Sequence, residues 1–159
     1  MMDRDSGFLQ SDMKELEMIE FEINERKFGI NVLKVKEIIQ PLPITPIPHA
    51  HPIILGIIQL RGEVLPVISM EQALKMESTN NVEQAEEKFI VAEFNKQKVV
   101  FHVHRVSQIH RIDYDHIEKA SDSIALDYSH ITGVIKREEY MILLIDFEKI
   151  IEDITSESD

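Results

Sequence analysis

The sequence predicts a mainly β chain folded as two small barrels with short helices, and three observations carry that prediction. Apolar and polar residues alternate in short runs, as in "IEFEI" at 19–23. Brief polar turns such as "NER" and "NKQ" separate those runs. The chain also repeats itself. A shift of 71 residues lays "EINERKFGINVLKVKEI" (22–38) on "EFNKQKVVFHVHRVSQI" (93–109) without a gap, matching Glu22 with Glu93, Asn24 with Asn95, Lys27 with Lys98 and Val35 with Val106. A shift of 77 lays "GIIQLRGEVLPVISMEQAL" (56–74) on "GVIKREEYMILLIDFEKII" (133–151), glycine on glycine. Each copy carries about five short strands and ends in a helix, and closure into a barrel removes the edges so small a sheet would expose. A half of about 70 residues is marginal alone, so the two barrels should share a core, with a groove at their junction.

Taken in order, "IEFEI" is a half-buried strand with Ile19, Phe21 and Ile23 inward and Glu20 and Glu22 outward, returning through "NER" into "KFGINV". "LKVKEII" (33–39) satisfies neither the helical nor the strand period cleanly. Five of the six prolines lie between Pro41 and Pro52, so this segment is an extended loop or edge. "GIIQL" and "EVLPVI" form a hairpin turning at Arg61-Gly62, with Pro66 putting the return strand at an edge or bulge. Ser69 and Gln72 have capping-box spacing ahead of a short helix. The acidic stretch "ESTNNVEQAEE" reads as a linker. "KFIVAEF" and "KVVFHVHRV" make the next hairpin, "HITGVIK" and "YMILLI" the last, and "DFEKIIEDI" the closing helix. One domain over 15–153 is expected, its halves at about 15–76 and 88–153 mixed by strand exchange, with a flexible segment at 1–14 and a disordered tail at 154–159.

Composition narrows the function. A formal charge of −12 in 159 residues argues against nucleic acid and against an anionic membrane surface, both of which call for clustered Lys and Arg. With no cysteine, neither a disulfide framework nor a thiolate site can form, which fits a reducing cytoplasm. The longest apolar runs, such as "MILLI" at 141–145, are strand-sized and far below the ~20 residues of a membrane helix. Nucleotide-loop, nucleophile-elbow and zinc-protease motifs are missing, so the chain is expected not to be an enzyme and to need no cofactor. One competing chemistry remains: His102 and His104, two apart on a strand, face one side and with His110 could present three imidazoles to zinc. A histidine-rich solvent face is the plainer reading. The acidic residues Glu20, Glu22, Glu71, Glu83, Glu86 and Glu87 read as solvated faces and linker.

At the bend of the "GIIQLRGEVLPVIS" hairpin, Leu60-Arg61-Gly62 aligns in the repeat with Arg137-Glu138-Glu139. The architecture therefore does not itself demand an arginine there, and Arg61 becomes a candidate for function.

"FGINVLKVKEIIQP", "ITPIPHAHP" and above all "GIIQLRGEVLPVIS" resemble the CheW-like coupling domains of bacterial chemotaxis, which join a V-x-E-I segment to a G-x-x-x-L-R-G-x-x-x-P-V hairpin. The resemblance covers about residues 15–153 and looks closest to the CheV branch, in which such a domain precedes a receiver domain; with the sequence stopping at Asp159, either an excised coupling module or a plain CheW is expected. It implies two intertwined five-stranded SH3-like barrels acting as a non-enzymatic adaptor. The implied partners are the cytoplasmic tips of methyl-accepting chemotaxis receptors and the histidine kinase CheA, placing the protein in the cytoplasm and at receptor arrays on the inner face of the membrane. The family's receptor-groove valine, glutamate and arginine fall on Val35, Glu37 and Arg61, and the matching segment of the second half adds Ile109. Kinase contacts are implied at the ends of the barrels, without assigned residues.

Overall fold

A computed structural model describes residues 14–76, 86–119 and 130–158; the expected flexible start and most of the acidic linker lie outside them. Eleven strands form two sheets among the described residues. The first half supplies β1 (Glu15–Ile23), β2 (Arg26–Asn31), β3 (Val35–Ile39), β4 (Ile54–Leu60), β5 (Glu63–Ser69) and helix α1 (Met70–Ala73). The second supplies β6 (Lys88–Phe94), β7 (Gln97–Val103), β8 (Arg105–Asp113), β9 (Ile117–Lys119), β10 (Ile131–Lys136), β11 (Met141–Ile145) and helix α2 (Phe147–Ser158).

The strands do not sort by half. One sheet runs β8-β1-β2-β11-β10-β9 and the other β3-β6-β7-β5-β4, so each leading hairpin sits in a sheet with strands of the other copy. The crossing ladders are antiparallel between β1 and β8 and between β3 and β6, and parallel between β2 and β11 and between β5 and β7. Exchange lets both faces of β1 be buried. Ile19, Phe21 and Ile23 enter a central core with Phe28, Phe101, Val103 and the α2 residues Phe147, Ile150 and Ile154. Leu16 and Met18 face the opposite way, into the interior of the six-stranded barrel with Ile112, Ile135 and Ile142. The other barrel is filled by Ile58, Leu65, Val67, Phe89, Val91 and Val100.

Local chemistry explains the elements. Asn24-Glu25 and Asn95-Lys96 all have positive φ, the backbone of a two-residue type I′ hairpin turn, and asparagine enters that region at low cost. Residues 33–39 resist one period because they contain two structures, a 3-10 turn over Val32–Lys34 and then β3. The Ser69 hydroxyl accepts from Gln72 N–H at 3.3 Å, the expected cap, and at the repeat-related position Asp146 caps α2 through Lys149 N–H at 3.0 Å.

Glycines 56 and 133 close the barrels. At Gly56 a Cβ would lie 2.3 Å from the carbonyl oxygen of Thr45, and at Gly133 it would lie 2.6 Å from Ile117 Cγ2. This clearance lets Thr45 and Ile57 exchange two backbone hydrogen bonds of 2.9 Å, drawing the proline-rich segment onto β4. In the other barrel β8 bends through the 3-10 turn Tyr114–His116 into β9, which pairs with β10 opposite Gly133.

β5 lies inside its sheet, yet Pro66 sits beside a bulge, where the β4–β5 register shifts between Ile54 and Gly56, and β7 pairs only with Val67–Ser69, beyond the missing N–H. Two expectations are corrected. Helix α2 continues through Ser158, past the tail boundary expected at 154, since nothing in "TSES" breaks a helix already capped and anchored by Ile150 and Ile154. Glu20 is 1% exposed rather than solvated, because alternation sets it on the Met18 side of β1 and that side too is buried.

Candidate functional site

The β4–β5 turn has no asparagine. Its first residue is Arg61 at φ +50°, followed by Gly62 at φ +84°. A left-handed conformation costs a non-glycine residue roughly 1 kcal/mol, and each of the three tight hairpins holds one such residue, Glu25, Arg61 and Lys96, beside an asparagine or a glycine. Its backbone is thus no more strained than theirs, and what sets Arg61 apart is the partner its side chain takes.

That side chain reaches β3. Arg61 Nη1 donates to Glu37 Oε2 at 2.6 Å and Nη2 to Oε1 at 2.7 Å, a forked pair joining segments from opposite edges of the five-stranded sheet. The hydrogen bond from Arg61 holds the Glu37 carboxyl below its ordinary value, and the same bond raises the Arg61 guanidinium. Two further pairs lie on neighbouring strands: Lys98 with Glu63 at 2.8 Å and Lys36 with Glu93 at 3.3 Å. Charge around Arg61 is therefore ordered in pairs.

Apolar residues share the segment that carries Glu37. Val35, half-buried, packs against the central core. Leu33, on the 3-10 turn before it, is 87% exposed, and Ile38 is 38% exposed. Leu33 and Lys98 were not singled out from the sequence; an apolar residue in a run that fits no period was the available signal. Ile109, the repeat counterpart of Ile38, lies in the other sheet, is 65% exposed and pairs with Ile19 of β1. The structure thus joins Glu37 to Arg61 directly, with Val35 two residues away on β3, and sets Ile109 on the second barrel.

The histidines divide. His102 and His104 do share a side, their rings 5.9 Å apart, but His102 is held by Glu87 at 2.6 Å and His104 Nδ1 accepts from Asn24 N–H at 3.0 Å. Burial lowers the affinity of His104 for a proton, which keeps that acceptor available. His110 is engaged by Glu20 at 2.6 Å in the six-stranded sheet, so the zinc triad is replaced by separate carboxylate pairs. Among the described residues no group of three or more potential ligands is arranged to hold a metal ion.

The family model for the CheW-like domain matches residues 17–155. The chain belongs to the CheW-like family. It is 31% identical over 147 residues to the chemotaxis protein CheW of Thermotoga maritima, covering 92% of this chain and 95% of that protein. It is 30% identical to the chemotaxis protein CheV3 of Helicobacter pylori, covering 92% of this chain and 50% of that protein. Among solved structures, the scaffolding protein TtCheW of Thermoanaerobacter tengcongensis superposes with a TM-score of 0.77 at 26% identity, covering 86% of this chain and 92% of that one. The two sheets are accordingly the paired SH3-like barrels of a CheW-like chemotaxis coupling scaffold. No helix among the described residues is long and apolar enough to cross a membrane.

Proposed function

We propose that this CheW-like domain couples methyl-accepting chemotaxis receptors to the histidine kinase CheA, working in the cytoplasm at receptor arrays, and that the receptor is met by Val35, Glu37, Arg61 and Ile109. The observation that carries the reading is Arg61, forked from the β4–β5 turn to Glu37 on the segment that also carries the exposed apolar residues Leu33 and Ile38. An amphipathic receptor helix laid over this surface would cover the apolar residues and present polar groups to the ordered charges at the rim. Arginine is enriched among interface hot spots because its planar fork binds with geometry as well as charge. The likeness to half of CheV3 supports the further reading that the domain is the coupling module of a CheV-type protein without its receiver domain.

The test is co-sedimentation with membrane-bound receptor signalling fragments and CheA, comparing the wild-type chain with Arg61→Ala and checking folding by circular dichroism. Wild type should enter the ternary complex and the variant should not. A folded Arg61→Ala that binds receptor with unchanged affinity removes Arg61 from the site. A wild-type chain that binds neither partner overturns the coupling role itself.

A further inference from the structure

One end of the six-stranded barrel has a polar plug. Glu20 Oε1 accepts from His110 Nε2 at 2.6 Å and from the Tyr140 hydroxyl at 3.2 Å, and Lys27 Nζ lies 3.7 Å from Oε2. Behind the imidazole, Arg137 Nη2 meets His110 Nδ1 at 2.9 Å. A guanidinium can only donate. Nδ1 must therefore present a lone pair, and the hydrogen sits on Nε2, where it reaches Glu20. His110 is neutral in this arrangement, wedged between a buried anion and a surface cation.

The repeat shows that the fold does not require this plug. Glu20 corresponds to Val91 and His110 to Ile39 under the shift of 71, and Arg137 corresponds to Leu60 under the shift of 77. Val91 lies in the interior of the other barrel, with Ile39 and Leu60 packed against the same cluster. One barrel end is closed by apolar packing, and its counterpart by a chain of polar groups ending on an exposed turn.

We infer that Arg137, His110 and Glu20 form a proton-operated clasp on the β10–β11 turn. A proton arriving at Nδ1 takes the lone pair that holds Arg137 and sets two cations face to face, while Nε2–H keeps its bond to Glu20. Arg137 is released, and the turn over residues 137–140 loosens with it. The groups facing the imidazole favour this outcome. Glu20 on β1 stabilises the imidazolium; Lys27 on β2 is drawn to Glu22 at 2.8 Å as well as to Glu20; Arg111, next along β8, is committed to Glu17 at 3.1 Å. Tyr140 is held protonated by burial and by Glu20, so it stays a donor throughout. The end of this barrel is thus a surface whose shape and charge respond to acid, independently of which partner meets it.

The experiment is NMR on the full chain. Side-chain 15N spectra at neutral pH should show His110 with its hydrogen on Nε2. On titration to about pH 5, a range in which histidine is the side chain that ordinarily titrates, amides of Arg137–Met141 should shift with the ring, and their hydrogen-exchange protection, taken against the intrinsic rate at each pH, should fall about tenfold. In Arg137→Gln, a change at an exposed position, the ring should still titrate while the turn amides stop following it. Hydrogen on Nδ1 at neutral pH, a ring that takes no proton down to about pH 5, turn amides indifferent to the ring, or the same response in Arg137→Gln would each overturn the clasp.

Discussion

Arg61 binds both carboxylate oxygens of Glu37, at 2.6 and 2.7 Å, from a hairpin turn whose backbone favours asparagine. Local stability and the ion pair therefore pull against one another at a single position. Arg61→Asn should make a better type I′ turn in front of Gly62 and raise the thermal midpoint. The same variant should bind receptor fragments at least about tenfold more weakly. Arg61→Lys should also bind poorly, since an ammonium cannot fork to two oxygens. Thermal melts and receptor titrations on the same preparations check both halves.

The Glu37 carboxyl should titrate below its ordinary value of 4.5 in wild type and return to it in Arg61→Ala. Because the folded-state value is depressed, the stabilisation is present above the unfolded value and is lost as pH falls through the lower, folded one. Carboxyl 13C shifts followed across the acid range measure this. The effect should weaken in salt because the pair is exposed.

Gly56→Ala puts a Cβ 2.3 Å from the Thr45 carbonyl oxygen. Loss of about 1–3 kcal/mol is expected, with the Thr45 and Ile57 amides losing hydrogen-exchange protection while the β1–β2 hairpin keeps its own. Gly133→Ala should do the same to the β9–β10 ladder.

Glu20→Ala should cost about 1–3 kcal/mol, since it strips an acceptor from His110 and Tyr140 in a buried place. Glu20→Gln, which keeps an acceptor and the shape, should cost less. Denaturant titration of the pair of variants separates lost hydrogen bonding from lost volume.

His104 should make global stability pH-dependent. Its folded-state proton affinity is lowered, chiefly by burial, so the unfolded chain binds the proton more readily and stability falls as pH drops below the ordinary 6.5 toward the lower folded value. Protonation at Nδ1 would also break the bond from Asn24 N–H. His104→Asn should flatten this slope in denaturation midpoints measured across that range, leaving the local response of the β10–β11 turn intact.

Much of the fold was legible in the chain. Hairpins announce themselves through alternation and through turn residues such as Asn24, Asn95 and Gly62; the Ser69 cap shows as spacing; the twofold repeat shows as an ungapped match. These are short-range signals, set by backbone sterics and by the two-residue period of a strand. Glu37 and Arg61 could be singled out individually from the motif that carries them. That they grip each other, 24 residues apart in sequence, appears only when the five-stranded sheet curls to bring β3 to the β4–β5 turn. Strand exchange likewise decided that β1 has two buried faces, and so turned Glu20 from an outward carboxylate into the anchor of a polar plug. Alternation reports that a strand has two faces. What covers each face depends on partners far away along the chain, and only tertiary packing chooses them.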